Sequence, residues 1–198
     1  MTVRPGSCIS PTHTALLSAL HNCPSILTGA FVNTSSLAAP VCQPAFTERE
    51  FRNALGQFAT GVTMVTTLDA TGRPAGMTVS SFNSVSLAPP LVLWSLGCST
   101  GNYAVFAQSR HYAIHVLAHH QKGLAMQFAQ RGVDRFAGVQ WQPNAQGVPL
   151  LDDVLATFEC RARSQYLEGD HLIMVGEVLA CHHSAHADPL LYHGGQMR

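Results

Sequence analysis

The feature that most constrains this chain is a pair of long strand-like runs, residues 156–166 and 171–182, joined by Leu167-Glu168-Gly169-Asp170. Shorter runs of the same character precede them. Val62-Thr63-Met64-Val65-Thr66-Thr67 is a strand by its β-branched content, and Asp69 to Pro74 reads as a turn. Residues 75–81 and 84–87 are strand-like, Ala88-Pro89-Pro90 breaks the chain, and Leu91 to Leu96 is a buried strand. His111 to Leu117 is another. Helical spacing occurs in three places. Thr47 and Glu50 form a capping box ahead of a helix over 48–58, whose Phe51, Leu55 and Phe58 are expected in the core. Residues 100–109 and 121–131 are the others. Such strands and helices in irregular order lack the alternation of a doubly wound α/β sheet. They favour an antiparallel barrel decorated with helices.

Residues 1–44 differ from the rest, with Arg4 as their single charged residue and much Ser, Thr, Pro, Ala and Leu. They read as an N-terminal extension lying mostly outside the core, and 45–198 as the domain proper. Ala15 to Leu20 is too short and too polar to span a bilayer, and makes a poor signal-peptide core. Only 11% of the residues are charged, with eleven basic groups balancing eleven acidic ones. That balance leaves no electrostatic footprint for nucleic acid or an anionic membrane. It also hints that some surface is buried in an oligomer. The six cysteines are spread out with no CxxC pair, as free thiols of a reducing, cytoplasmic protein would be. Cys160 and Cys181 are expected to be small core filler on strands.

Several chemistries lose their usual anchors. There is no G-x-G-x-x-G after a strand, no P-loop, no G-x-S-x-G and no H-E-x-x-H. Eleven histidines invite a metal reading. His111, His115 and His119 are spaced by four, yet on a strand His111 and His115 would stand about 13 Å apart, too far to share one ion. With His182, His183 and His186 as the second cluster, no metal site is expected. The more informative stretch runs from Gly76 to Pro90 and carries five hydroxyl side chains between Thr78 and Ser86. A second hydroxyl cluster, Ser99-Thr100 with Gly101 and Asn102, stands where a helix should begin. In a chain with one lysine, Lys122, amides and hydroxyls at such a place can hold a phosphate. An ordinary Ser/Thr strand followed by an N-cap explains the same residues equally well.

Three motifs in order, Phe58-Ala59-Thr60-Gly61-Val62-Thr63, the Thr78 to Pro90 stretch, and Gly169-Asp170-His171 with Val175-Gly176-Glu177-Val178, resemble the flavin reductase family. These are the NAD(P)H:flavin oxidoreductase components of two-component flavin-dependent monooxygenases. The resemblance extends from about Phe46 to Tyr192. It implies a mainly β fold, a split antiparallel β-barrel of Greek-key, FMN-binding type with a few peripheral helices. It implies FMN or FAD as cofactor, NADH or NADPH as co-substrate, a homodimer, and reduced flavin passed to a separate monooxygenase. By the same resemblance, Thr78, Val79, Ser80 and Ser81 line the isoalloxazine and ribityl chain, and Ser84 and Val85 continue that edge. Ser99, Thr100 and Asn102 hold the flavin phosphate. Gly169, Asp170 and His171 face the nicotinamide, with His171 near the hydride path as the catalytic residue.

The residues themselves agree with that chemistry. Hydride transfer between two flat rings needs close stacking and exclusion of water rather than a protein nucleophile. A site of small hydroxyl-bearing residues meets the need. Asp170 reads as a turn residue. Arg131 and Arg135 either reach a nucleotide phosphate or form a solvated helix end, the second being favoured. Two other functions fit the same motifs: a flavoprotein oxidoreductase that keeps its FMN tightly bound, and a non-catalytic flavin-binding electron carrier.

Overall fold

The structure is a computed structural model that describes residues 44–184 and 187–198. The extension read over residues 1–44 falls outside it but for Pro44, as does His186. In chain order the elements are α1 (Glu48–Leu55), β1 (Thr60–Gly61), β2 (Thr63–Leu68), β3 (Pro74–Val79), β4 (Asn83–Leu87), β5 (Pro90–Gly97), α2 (Tyr103–Gln108) and β6 (His111–Val116). After a short 3-10 turn come α3 (Lys122–Ala129), β7 (Trp141–Pro143), β8 (Pro149–Leu151), β9 (Ala156–Glu168), β10 (His171–His183), β11 (Leu191–His193) and β12 (Gln196–Met197). The small strands β1, β11 and β12 had no clear sequence signal.

Seven strands pair antiparallel in the order β3-β2-β6-β9-β10-β5-β4. The two edges, β3 and β4, are consecutive in the chain. Val79 ends one and Asn83 begins the other. Four residues of extended chain reach about 14 Å at most. The sheet must therefore roll until its edges nearly meet, which makes an antiparallel barrel split between β3 and β4. Ser81 bridges the split. Its hydroxyl accepts from the Ser95 amide at 2.9 Å and donates to the Ser95 carbonyl at 3.3 Å, continuing the edge of β5 past the end of β4. The long strands β9 and β10 pair along nearly their whole length, with Gly169-Asp170 as the turn between them.

Trp94, Phe106, Tyr112, Ile114 and Met174 form the barrel core. Trp94 meets Phe106 and Tyr112 edge-on, with ring centroids 5.3 and 5.9 Å apart. A second cluster, with Met64, Leu117, Phe128 and Leu190, seats α3 on the outside of β2 and β3. Cys160 is buried as expected, but Cys181 is exposed on β10. The expectation for α1 is also overturned. Its capping box forms, with Thr47 Oγ1 accepting the Glu50 amide and the Glu50 carboxylate accepting the Thr47 amide. Yet no residue of α1 is buried, and Phe51, Leu55 and Phe58 are 49%, 57% and 75% exposed. The periodicity marks a real apolar face, but one the domain's own core does not cover.

His115 on β6 has both ring nitrogens engaged inside the fold. It is fully buried, with Nδ1 3.2 Å from the Met64 carbonyl, and Nε2 accepts the Leu151 amide at 3.2 Å. The neutral ring with its proton on Nδ1 satisfies both contacts, whereas a second proton would face an N–H group. Burial accordingly pushes its pKa down to about 4, and the Met64 carbonyl only partly offsets this. Among the described residues no three His, Cys, Asp or Glu side chains converge on a metal-sized site. A pH dependence follows. An unfolded histidine titrates near 6.5, so His115 contributes stability above that pH which is lost as the pH falls toward 4. The slope approaches about 1.4 kcal/mol per pH unit within that window. Thermal midpoints measured from pH 7 to pH 4 should fall through this interval, and the fall should flatten in His115→Gln; an equal slope in the variant would remove His115 as the cause.

Candidate active site

The turn after β5 and the turn between β9 and β10 lie side by side. Gly97 pairs with His171 in the ladder, and the Cys98 amide donates to the Asp170 carbonyl at 2.9 Å. Gly97 lets two side chains close over it. A β-carbon there would sit 3.4 Å from Thr100 Cγ2 and 3.6 Å from His171 Nε2. The Asp170 carboxylate lies 2.7 Å from His171 Nδ1 and steadies the ring from its other edge. Asp170 is held below the ordinary carboxylate range, first by that hydrogen bond, then by the charge of His171, with a smaller contribution from Arg52. Gly169 turns the chain at φ +58°, a conformation that strains any L side chain. The turn alone accounts for glycine at this position.

A cleft of about 900 Å³ opens in front of His171. Ser80, at the split between the barrel edges, and Asp170 and His171, from the long hairpin, line it together. Its far wall is α1 with Arg52, Asn53 and Leu55, and its floor includes Thr60 and Tyr192. The pairing of Thr60 with Tyr192 puts these two side by side. A second cavity, of about 620 Å³, begins at Gly101 and Asn102 and is walled by Gly76, Arg73, Arg131 and Arg135.

The remaining residues singled out from the sequence separate into two kinds. Some use their side chains inside the fold. Thr78 Oγ1 donates to the Ala125 carbonyl of α3 at 2.7 Å, Val79 is buried in the core, Ser81 is bound to Ser95, and Asn102 Nδ2 donates to the Gly76 carbonyl at 3.0 Å. From Thr78, Val79 and Ser81 the main chain is what a ligand would meet. Others are open: Ser80, Ser84, Val85 and Ser99 are exposed. A bulge between Ser84 and Ser86 displaces Val85, and neither Ser84 nor Val85 lines the two cavities. Thr100 stands apart, because its hydroxyl oxygen is buried with no hydrogen-bond partner in the protein. A buried hydroxyl without a partner costs roughly 1–3 kcal/mol unless something outside the fold satisfies it.

One contributor escaped the sequence reading and another was weighed but not favoured. Arg52 lay hidden in an ordinary i,i+4 pair with Glu48 on an amphipathic helix. Arg135 stood in a loop and was read as a solvated helix end. In the structure it is half-buried, with its guanidinium hydrogen-bonded to the carbonyls of Gln130 and Gly76.

Comparisons with known proteins bear on this cleft. A family described as the flavin reductase like domain matches residues 55–198. The chain is 49% identical over 147 residues to the FMN reductase (NADH) SmoA of Agrobacterium fabrum, covering 74% of this chain and 83% of that one. It is 45% identical over 130 residues to the reductase component of the flavin-dependent trigonelline monooxygenase of Acinetobacter baylyi, covering 66% of this chain but only 42% of that longer protein. Among solved structures, the NADH:FAD oxidoreductase SgcE6 of Streptomyces globisporus, in complex with NAD and FAD fragments, superposes with a TM-score of 0.72 at 36% identity, covering 76% of this chain and 90% of that one. BorF, the flavin reductase component of a bacterial two-component tryptophan halogenase, gives a TM-score of 0.71 at 37% identity, covering 77% and 97%. The split between β3 and β4, the hydroxyl-rich strand beside it and the Gly-Asp-His turn facing it are thus features of a chain that belongs to the flavin reductase-like family.

Proposed function

We propose that this protein is an NAD(P)H-dependent flavin reductase that reduces FMN or FAD and releases the product to a separate monooxygenase. The observation that carries this reading is the cleft that Ser80, from the barrel split, and His171, from the long hairpin, line together. The site's donors suit a flavin. The main chain of Thr78 to Ser81 runs along the split, and the buried Thr100 hydroxyl has no partner in the protein. When bound, flavin supplies the hydride acceptor and the nicotinamide the hydride, so the protein's task is placement. Ser80 and the Thr78–Ser81 main chain hold the flavin edge, with Ser84 and Val85 extending it, while Ser99, Thr100 and Asn102 take its phosphate. His171, steadied by Asp170, offers Nε2 at the nicotinamide side. The apolar side chains of α1 keep water from the far wall.

Phe46, Phe51, Leu55 and Phe58, with Val85 and Leu87 on β4, are exposed large apolar groups in a chain of few charges. Such a surface suits burial against a second copy, and we assign the protein as a homodimer acting in the cytoplasm. No described helix is long and apolar enough to cross a membrane.

Anaerobic mixing with NADH and excess FMN tests the function. Repeated turnovers of free flavin are expected. A protein that accepts one reduction equivalent and stops would be a carrier instead. The phosphate assignment is tested separately. Replacing Ser99 and Thr100 together by Ala should weaken FMN by about tenfold while leaving riboflavin unchanged, since one charge-assisted hydrogen bond is worth about 1.5–3 kcal/mol. Equal weakening of both flavins would contradict it.

A further inference from the structure

The cleft in front of His171 holds a set of charges that hydride transfer itself does not use. Glu48 and Arg52 of α1 line it, as does Asp170 of the hairpin turn. Among the described residues of the lining, Arg52 is the single Lys or Arg. Glu48, one turn earlier on α1, holds Arg52 in an i,i+4 ion pair. Asp170, held below the ordinary carboxylate range chiefly by its hydrogen bond to His171, also feels the charge of Arg52. One cation thus answers two carboxylates, and with His171 neutral the lining is net negative. The pair does little for the fold. Its side chains are 75% exposed at Arg52 and 78% at Glu48, and exposed pairs of this spacing contribute little to stability. The helix start is secured separately, by the Thr47–Glu50 capping box. What the pair does set is the field along the α1 wall of the cleft.

We infer that Glu48 is a specificity-determining residue: by occupying Arg52 it turns the α1 wall against the 2′-phosphate of NADPH and leaves NADH as the co-substrate. The inference rests on the flavin reductase reading and deepens it, naming the side chain that chooses between the two nucleotides. The nicotinamide is one end of a dinucleotide. With that end at His171, the adenosine end runs along the cleft toward α1, its far wall. NADPH differs from NADH only there, by a phosphate that carries about −1.5 to −2 charge at pH 7. A unit charge about 4 Å from another in water shifts an equilibrium by about fivefold. A free arginine on this wall would welcome the extra phosphate. The same arginine claimed by Glu48, with Asp170 nearby, does not.

The test measures kcat and KM for NADH and NADPH with excess FMN, and separately the Kd of NAD+ and NADP+ by calorimetric titration. It compares the wild type, Glu48→Gln, and Glu48→Gln combined with Arg52→Gln. The wild type should prefer NADH at least tenfold in kcat/KM. Glu48→Gln should narrow that preference by about tenfold, through the NADPH KM, with the Kd of NADP+ falling in step. Adding Arg52→Gln should cancel the gain, because the gain comes from the freed guanidinium. Salt gives a reading that needs no variant: raising it from about 0.05 to 0.5 M should narrow the wild-type preference, since repulsion between exposed charges is screened. A wild type that uses both nucleotides equally or favours NADPH overturns the inference. So does a preference that neither Glu48→Gln nor salt alters, or a gain that survives loss of Arg52. In each of those cases flavin is still reduced and the reductase reading stands. A wild type that reduces flavin with neither nucleotide defeats that reading itself.

Discussion

Gly176→Ala is expected to be the most destabilising single-methyl change in the barrel. Gly176 lies buried on β10, where the ladder to β9 slips register. A β-carbon there would run into the Tyr112 hydroxyl, and would also stand 2.9 Å from Tyr112 Cζ and 3.1 Å from Cys160 Cβ. None of these groups can retreat. Tyr112 is 1% exposed and its ring is fixed edge-on against Trp94. Overpacking of this kind costs about 2–3 kcal/mol. In a domain of this size that lowers the thermal midpoint by about 6–10 °C. The Tyr112 hydroxyl is itself buried without a hydrogen-bond partner, and burial drives its pKa upward. Tyr112→Phe alone should therefore be neutral or stabilising, because it removes an unsatisfied polar group. Combined with Gly176→Ala, it should recover at least half the lost stability, since the worst contact is with the deleted oxygen. Denaturation midpoints of the two single variants and the double variant close the cycle. Additive effects would show that the hydroxyl is not the obstacle.

The largest effect on activity is expected from His171→Ala. The ring stands at the mouth of the cleft, held between Gly97 beneath it and the Asp170 carboxylate 2.7 Å away. Removing it leaves the flavin side of the site intact, because Ser80, Ser99 and Thr100 lie outside the long hairpin that carries His171. Loss of alignment between reacting groups costs on the order of 10²-fold in rate. Stopped-flow reduction should show kcat/KM for NADH falling by about that factor, with the FMN Kd within twofold of wild type. Asp170→Asn should give a smaller loss, since amide and ring still hydrogen-bond. Unchanged reduction kinetics in His171→Ala would take His171 out of the reaction.

Much of the fold was legible because it is written in local pattern. The long hairpin announced itself through two strand-like runs and a Gly-Asp turn, and β2, β5 and β6 through β-branched and apolar content. The α1 capping box named its helix to within a few residues. What the pattern could not say was which surface the apolar stripe of α1 meets, since helical period reports an apolar face and not its partner. The strands β11 and β12 span three and two residues and exist through pairing with β1 and with each other, so no local signal marks them. The candidate site was half legible for a related reason. Composition revealed the hydroxyls of the Thr78–Ser86 stretch. It did not reveal that Thr78 is tied to Ala125, 47 residues away, or Ser81 to Ser95 across the split. Nor did it show Arg135 reaching Gly76, 59 residues away. Those partners are set by the rolled sheet.

The central claim is that the split of the barrel, between Ser80 and His171, holds a flavin. A crystal structure with FMN measures this most directly. The ring should lie along the Thr78–Ser81 main chain, with His171 open to its face and the phosphate beside Thr100 and Asn102. Flavin density elsewhere, or a cleft closed by the protein's own side chains in the presence of saturating FMN, would contradict the account.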